Sequence, residues 1–111
     1  MKITLNIKQL MGIVMITREE KDKIKQEIVE KINSTLERYD ESYRMDQVNI
    51  LNKQDSVKFM GYYRVYDRRK YEAIKREINT FLDQYGDIDI KTRKISDNGM
   101  KFTTVSFNFE L

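Results

Sequence analysis

The sequence predicts an α+β fold in which two helices pack on one face of an antiparallel sheet. Two stretches repeat apolar residues at helical spacing, and the apolar residues around them alternate as in strands. Each half of the chain runs from a strand or hairpin through a helix to a hairpin. This order is typical of a ferredoxin-like fold or of a hairpin-extended β-α-β-β-α-β-β variant. With 111 residues, the chain is expected to form a single domain over residues 1–111.

Two amphipathic helices are predicted, the first over residues 17–40. Thr17 followed by Glu20 forms a capping-box pattern at its start. Its apolar stripe is Ile24, Ile28, Ile32, Leu36 and Tyr39. The second helix is predicted to begin at the N-cap Asp67 and to end at Gly86. Its stripe is Tyr71, Ile74, Ile78, Phe81, Leu82 and Tyr85. Stripes of this kind indicate packing against the sheet rather than a cofactor site.

Strands are predicted at residues 47–51, 57–66, 87–95 and 101–111. In the second of these, Val57, Phe59, Gly61, Tyr63 and Val65 share the face expected to be buried, and Lys58, Met60, Tyr62, Arg64 and Tyr66 share the other. Asn98-Gly99 favours a tight hairpin turn between the last two strands. Near the N-terminus, "ITLNI" and "GIVMI" are either two short strands or one interrupted strand.

An approximate internal repeat runs through the chain. "MGIVMIT" and "IKQEI" in the first half are echoed by "MGYYRVY" and "IKREI" in the second. A competing register aligns the apolar stripes of the two helices at a different offset. The halves therefore form at most a pseudo-repeat.

The chain has no Cys, His or Trp. These absences exclude thiol nucleophiles, imidazole bases, disulfides, and zinc sites or triads built on Cys or His. The four glycines form neither a phosphate loop nor a dinucleotide fingerprint. We therefore expect a non-enzymatic protein without a metal site or cofactor.

Charge and hydropathy indicate a cytoplasmic protein. The longest apolar run, Leu10 to Ile16, is far shorter than the ~20 residues needed to cross a bilayer, and no signal-peptide cleavage site follows it. The net charge is +3, and the whole excess of Lys and Arg over Asp and Glu falls in residues 56–111. Richness in Lys, Ile, Asn and Tyr, with no Pro, is typical of a low-GC bacterium or its phages.

Residues 58–70 form the candidate site. Lys58, Tyr62, Arg64 and Tyr66 are expected to alternate on the strand face opposite the core. Bases stack on aromatic rings arranged in this way, while cations meet the phosphates. Arg68, Arg69 and Lys70 are expected in the first turn of the second helix, where a bound anion would offset their unfavourable position. The simpler interpretation is that exposed strand tyrosines are ordinary and that Asp67 and Glu72 balance the three cations.

The segment "KFMGYYRVY" resembles in part the third-strand signature of the RNA-recognition motif. Gly61, Tyr62, Val65 and Tyr66 stand where that signature has Gly, an aromatic, an aliphatic and a second aromatic residue. Met60 replaces its basic residue, and Tyr63 and Arg64 also depart from it. The resemblance covers about nine residues and implies base stacking on Tyr62. Neither "ITLNI" nor "GIVMI" carries the aromatic ring of the partner signature.

Three functional interpretations follow, and we place a protein-interaction module first. Such a module would be an inhibitor or regulator from a phage or mobile element that occupies a host protein or nucleoprotein, because Tyr and Arg dominate protein hot spots. The alternative is a nucleic-acid-binding protein that uses the aromatic and basic strand face. A third interpretation is a homodimer that pairs edge to edge through the 101–111 strand. None of them involves a membrane.

Overall fold

A computed structural model of the protein describes residues 16–111. Its elements are helix α1 (Arg18–Arg38), strands β1 (Asn49–Asn52) and β2 (Val57–Val65), helix α2 (Tyr71–Leu82) with a 3-10 turn (Asp83–Tyr85), and strands β3 (Asp89–Asp97) and β4 (Met100–Glu110). The predicted α+β class is confirmed. From α1 onward the order is that of the hairpin-extended variant. Its first strand would fall in residues 1–15, outside the described part of the chain, which also leaves out residues 11–15 of the repeated segment "MGIVMIT".

The four strands form one sheet in the order β1-β2-β4-β3, and each neighbouring pair is antiparallel. The C-terminal strand β4 lies inside the sheet, so the prediction that it forms an exposed edge is wrong. The β3–β4 hairpin places β3 on the outside, and β4 pairs with β2 along most of its length. The hairpin turns at Asn98 and Gly99, both at positive φ, as predicted.

The edges of the described sheet are β1 and β3. A homodimer formed by strand pairing would therefore have to use one of these strands. The longer edge, β3, carries Lys91, Arg93 and Lys94, all exposed. Charged side chains on an edge strand oppose pairing with a second copy.

Helix α1 is bounded by two local motifs. At its start, the Thr17 hydroxyl accepts from the Glu20 amide at 3.1 Å, and the Glu20 carboxylate accepts from the Thr17 amide at 3.0 Å. The predicted capping box is thus confirmed. At its end, Asp40 adopts a φ of 60° and the Glu41 amide donates to the Leu36 carbonyl at 2.8 Å. This closure is a Schellman motif, in which the left-handed position usually holds glycine.

Helix α2 begins at Tyr71, later than the sequence predicts. Asp67 does not cap the helix, because its side chain accepts instead from the Arg69 amide at 3.0 Å. Residues 68–70 form a turn ahead of the helix. At the other end, the 3-10 turn stops at Gly86, whose φ of 103° matches the predicted left-handed stop.

Both helices contribute to one hydrophobic core on the same side of the sheet. Its buried helical residues are Ile28, Ile32, Leu36, Ile74, Ile78 and Leu82. Its buried strand residues are Val57, Phe59, Tyr63, Val65, Val105, Phe107 and Phe109. The predicted alternation in β2 is therefore confirmed. Neither helix of residues 16–111 is long and apolar enough to cross a membrane.

Gly61 faces this core. A Cβ atom at this position would lie 2.6 Å from Cζ of Phe107 and 2.9 Å from Cε of Met45. The strand therefore needs glycine here because the ring of Phe107 and the side chain of Met45 fill the space.

Candidate functional site

The sheet surface opposite the helices, here called the open face, carries the strand residues of the predicted site. Tyr62 lies opposite Ser106 on β4, and Ser106 lies opposite Lys91 on β3. In the next row of that face, Arg64 lies opposite Thr104, which in turn lies opposite Arg93. Directly paired residues project from the same side of a sheet. The open face therefore combines Tyr62 and Arg64 with Lys91 and Arg93, two cations that the sequence analysis did not select.

Arg64 lies at the centre of an aromatic cluster on this face. Its guanidinium carbon is 4.8 Å from the ring centroid of Phe102, 5.7 Å from that of Tyr43 and 5.9 Å from that of Tyr62. The Tyr66 ring packs on Phe102 with centroids 5.2 Å apart. Arg64 thus makes cation–π contacts that hold the rings in place. Arg64 would therefore contribute to ligand binding in two ways, by its charge and by holding the rings in position.

The rings of this cluster differ in their access to solvent. Tyr62 is 44% exposed, whereas Tyr43, Tyr66 and Phe102 are half-buried. Burial, followed by the neighbouring Tyr62 side chain, raises the pKa of the Tyr43 hydroxyl to about 12. The Tyr43 ring packs against the Tyr62 ring at a centroid distance of 5.9 Å and supports it from one side. Tyr62 is the ring most available to a ligand.

The open face carries acids as well as cations, because the register places Asp89, Asp97 and Glu110 on it. No described residue forms an ion pair with Lys91 or Arg93, and residues 1–15 contain no Asp or Glu. The nearest acid to Lys58 in the sheet register is Glu110. That carboxylate accepts a hydrogen bond from Ser56 and pairs with Lys53, and both contacts lower its pKa. Lys91 and Arg93 therefore lie on β3 between Asp89 and Asp97 and pair with neither acid.

The turn between β2 and α2 does not form the predicted site of three cations at a helix start. Arg69 donates two hydrogen bonds to the Asp67 carboxylate, at 3.2 and 3.1 Å, and lowers the pKa of that acid. Lys70 donates to the Tyr39 carbonyl at 2.7 Å, at the negative end of α1. Of these three cations, only Arg68 has a side chain that forms neither a hydrogen bond nor an ion pair with a described residue. The first-turn placement is wrong, and a binding role for these three residues stays a prediction.

This turn is anchored by Glu41, which the sequence analysis did not select. The Glu41 side chain, only 4% exposed, accepts from the backbone amides of Tyr66 at 2.6 Å and Asp67 at 3.1 Å. No pattern in the loop between α1 and β1 identifies this acid, because its partners are distant in sequence. Glu41 fixes the turn that carries Arg68 relative to the sheet.

No protein family, no curated protein and no solved structure matches this chain. The resemblance to the RNA-recognition motif therefore remains local. Of its matching residues, Tyr62 lies on the open face and Tyr66 packs on Phe102 in the cluster there, whereas Gly61 and Val65 face the core.

Proposed function

We propose that this chain is a small, non-enzymatic, cytoplasmic protein that binds single-stranded nucleic acid on the open face of its sheet. One observation carries the proposal: the register aligns Tyr62 with Lys91 and Arg64 with Arg93, each pair across β4. Residues two strands apart are separated by roughly 10 Å. A base stacked on Tyr62 would thus leave its phosphates within reach of the long cationic side chains of β3.

On the open face, the aromatic residues would stack with bases and the basic residues would contact phosphates. Tyr62 offers an exposed ring for base stacking, which is worth about 1–3 kcal/mol per base. Phe102 and Tyr66 extend the aromatic surface toward the β3–β4 hairpin. Lys91 and Arg93, joined by Lys58, would neutralise phosphates without regard to sequence.

The test is fluorescence anisotropy with a labelled oligothymidylate at several salt concentrations. Tyr62→Ala should weaken binding by about tenfold or more, the value of one stacked base. Replacing Lys91 and Arg93 together with Gln should weaken binding and reduce the slope of log affinity against log salt by about two.

The matched control replaces Lys23 and Arg76 with Gln. These two cations are exposed on the helices, so the net charge changes equally while the open face stays intact. The proposal fails if the control and the β3 double variant lose affinity equally, or if the parent protein does not bind the oligonucleotide.

A second candidate function is a protein-interaction module, such as an inhibitor from a phage or mobile element that occupies a host protein or nucleoprotein. It is favoured by the large hydrophobic side chains exposed in residues 16–111, which are Leu51 at 48%, Tyr62 at 44% and Met100 at 56%. The register places all three on the open face. Apolar side chains beside Tyr and Arg suit a protein partner.

Affinity capture from the native host, with and without nuclease, separates the two functions. A stoichiometric host protein that survives nuclease treatment and is lost in a Leu51→Ser, Met100→Ser variant supports the interaction module. Loss of all captured material after nuclease treatment supports the nucleic-acid binder.

A further inference from the structure

A second basic site lies on the helix side of the sheet, between the β2–α2 turn and the β3–β4 hairpin. There a cavity of about 290 Å³ is lined by three cations, Arg68, Lys94 and Lys101. The hydroxyl residues Ser96 and Thr103 lie between them, in the paired rows Lys94–Thr103 and Ser96–Lys101. Thr103 also pairs with the buried Val65, which places these rows on the face opposite Tyr62 and Arg64.

None of the three cations forms an ion pair with a described residue. The nearest acid in sequence to Arg68 is Asp67, and its carboxylate is already bound by Arg69. No described carboxylate lies within ion-pair distance of Lys94 or Lys101. Like charges gathered around one concavity repel one another and raise the local concentration of anions.

We propose that this cavity binds the phosphate group of a phosphorylated organic ligand. The Arg68 guanidinium can hold two phosphate oxygens at once, and Lys94 and Lys101 act as point charges beside it. Hydroxyls such as those of Ser96 and Thr103 can donate to remaining oxygens.

The cavity volume also bears on the class of ligand. At about 290 Å³ it is close to the lower limit of pockets that hold small organic ligands, so it has room for more than a bare phosphate. The phosphate would be carried by the end of a nucleic-acid strand or by a free small molecule. This proposal does not depend on nucleic acid binding to the open face.

The experiment is an NMR titration of the full chain with inorganic phosphate against chloride at constant ionic strength. The backbone amides of residues 94–103 should show saturable shifts. Replacing Arg68 and Lys101 together with Gln should weaken phosphate binding by at least about tenfold, because two charged contacts are lost.

The matched control is the Lys23→Gln, Arg76→Gln variant, which also removes two cations but at exposed helix positions outside the cavity. It should leave the phosphate affinity nearly unchanged. The proposal is overturned if the parent shows no saturable shift with phosphate, or if this control lowers the affinity as much as the Arg68 and Lys101 variant does.

Two decathymidylates, one with a 5′-phosphate and one with a 5′-hydroxyl, identify the source of the phosphate. Tighter binding of the phosphorylated strand, lost in the Arg68 and Lys101 variant, supports a nucleic-acid end. Equal binding of both strands alongside saturable phosphate binding supports a small molecule. The Lys91→Gln, Arg93→Gln variant should still bind inorganic phosphate, so failure of the open face and failure of the cavity are distinguished.

Discussion

Glu41 is hydrogen-bonded to the backbone amide of Tyr66, which joins the loop after α1 to the turn before α2. Its second oxygen accepts from the Asp67 amide, so one buried carboxylate satisfies two consecutive donors. Hydrogen bonds to a charged group stabilise a fold more than neutral ones do. Glu41 is therefore expected to contribute strongly to stability, although the sequence around it has no recognisable pattern.

Replacing Glu41 with Ala should lower the free energy of unfolding by about 1.5–3 kcal/mol, because both amides lose their acceptor. Glu41→Gln should cost less, since its amide oxygen can still accept from one of them. Urea unfolding measures both changes. The control is Glu37→Ala, whose exposed carboxylate pairs only loosely with Arg44 at 3.7 Å. An effect of Glu41→Ala no larger than that of Glu37→Ala would contradict the assigned role.

Gly61→Ala should lower the free energy of unfolding by about 1–3 kcal/mol, because the added methyl group would overlap the Phe107 ring. Phe107→Leu in the same chain makes room, so the double variant should lose less stability than the sum of the two single variants. A thermodynamic cycle from urea unfolding measures this coupling. Additive losses would show that Gly61 is needed for another reason.

Asp40→Gly should raise the free energy of unfolding by up to about 1 kcal/mol. Asp40 holds a φ of 60°, a left-handed conformation that costs energy for residues with a side chain. Glycine adopts this conformation without strain. The relief of strain should exceed the opposing effect, which is that glycine gives the unfolded chain more conformational entropy to lose on folding. Thermal unfolding checks the direction, with Asp40→Ala expected to destabilise. Stabilisation by both substitutions would show that the left-handed backbone is not the cause.

The sequence predicted the features that depend on local periodicity. Tyr62 and Arg64 could be assigned to the open face because side chains alternate along a strand whatever its partners are. Lys91 and Arg93 also alternate, but the face they share is set by pairing with β4, which is a long-range property. The position of the C-terminal strand inside the sheet also depends on long-range pairing, so its predicted place at an edge was wrong.

The partners of the cations in the turn could not be predicted either. The bond from Lys70 to the Tyr39 carbonyl joins the turn to the end of α1, and no spacing in the sequence encodes that contact. Arg69 could have been paired with Asp67 because the two are near neighbours in sequence. The cavity that Arg68 shares with Lys94 and Lys101 could not be predicted, because it depends on how the β3–β4 hairpin packs beside the turn.

The stability of the helix pair should decrease in acid through Glu77. Hydrogen bonding with Arg38 is the main cause that lowers the pKa of Glu77 below its ordinary 4.5, and Lys31 adds to it. A group whose pKa is lowered in the folded state contributes stability above its unfolded pKa, and this contribution is lost as the pH falls through the folded value. Unfolding should therefore become easier below about pH 4.5.

Glu77→Gln isolates this contribution, because Asp67 and Glu110 also have lowered pKa values. The difference in unfolding free energy between parent and variant should be largest near neutral pH and shrink below pH 4. Urea unfolding at pH 7, 5 and 3 measures it. A difference that is constant over this range would contradict a charge-dependent role for Glu77.

Arg64→Lys should loosen the aromatic cluster of the open face. A guanidinium is planar and lies against several rings at once, whereas an ammonium is a compact charge that cannot do so. The loss of the contacts to Phe102, Tyr43 and Tyr62 should cost about 0.5–2 kcal/mol of stability and reduce the near-ultraviolet circular dichroism of the tyrosines.

The matched control is Arg93→Lys, the same substitution on the same face at an exposed position with no ring contact to a described residue. It should change stability by less than about 0.5 kcal/mol and leave the tyrosine signal intact. Oligonucleotide affinity should fall in Arg64→Lys even though the net charge is unchanged, because the stacking surface has lost its order. If both variants keep full affinity and the same tyrosine spectrum, Arg64 does not organise the rings.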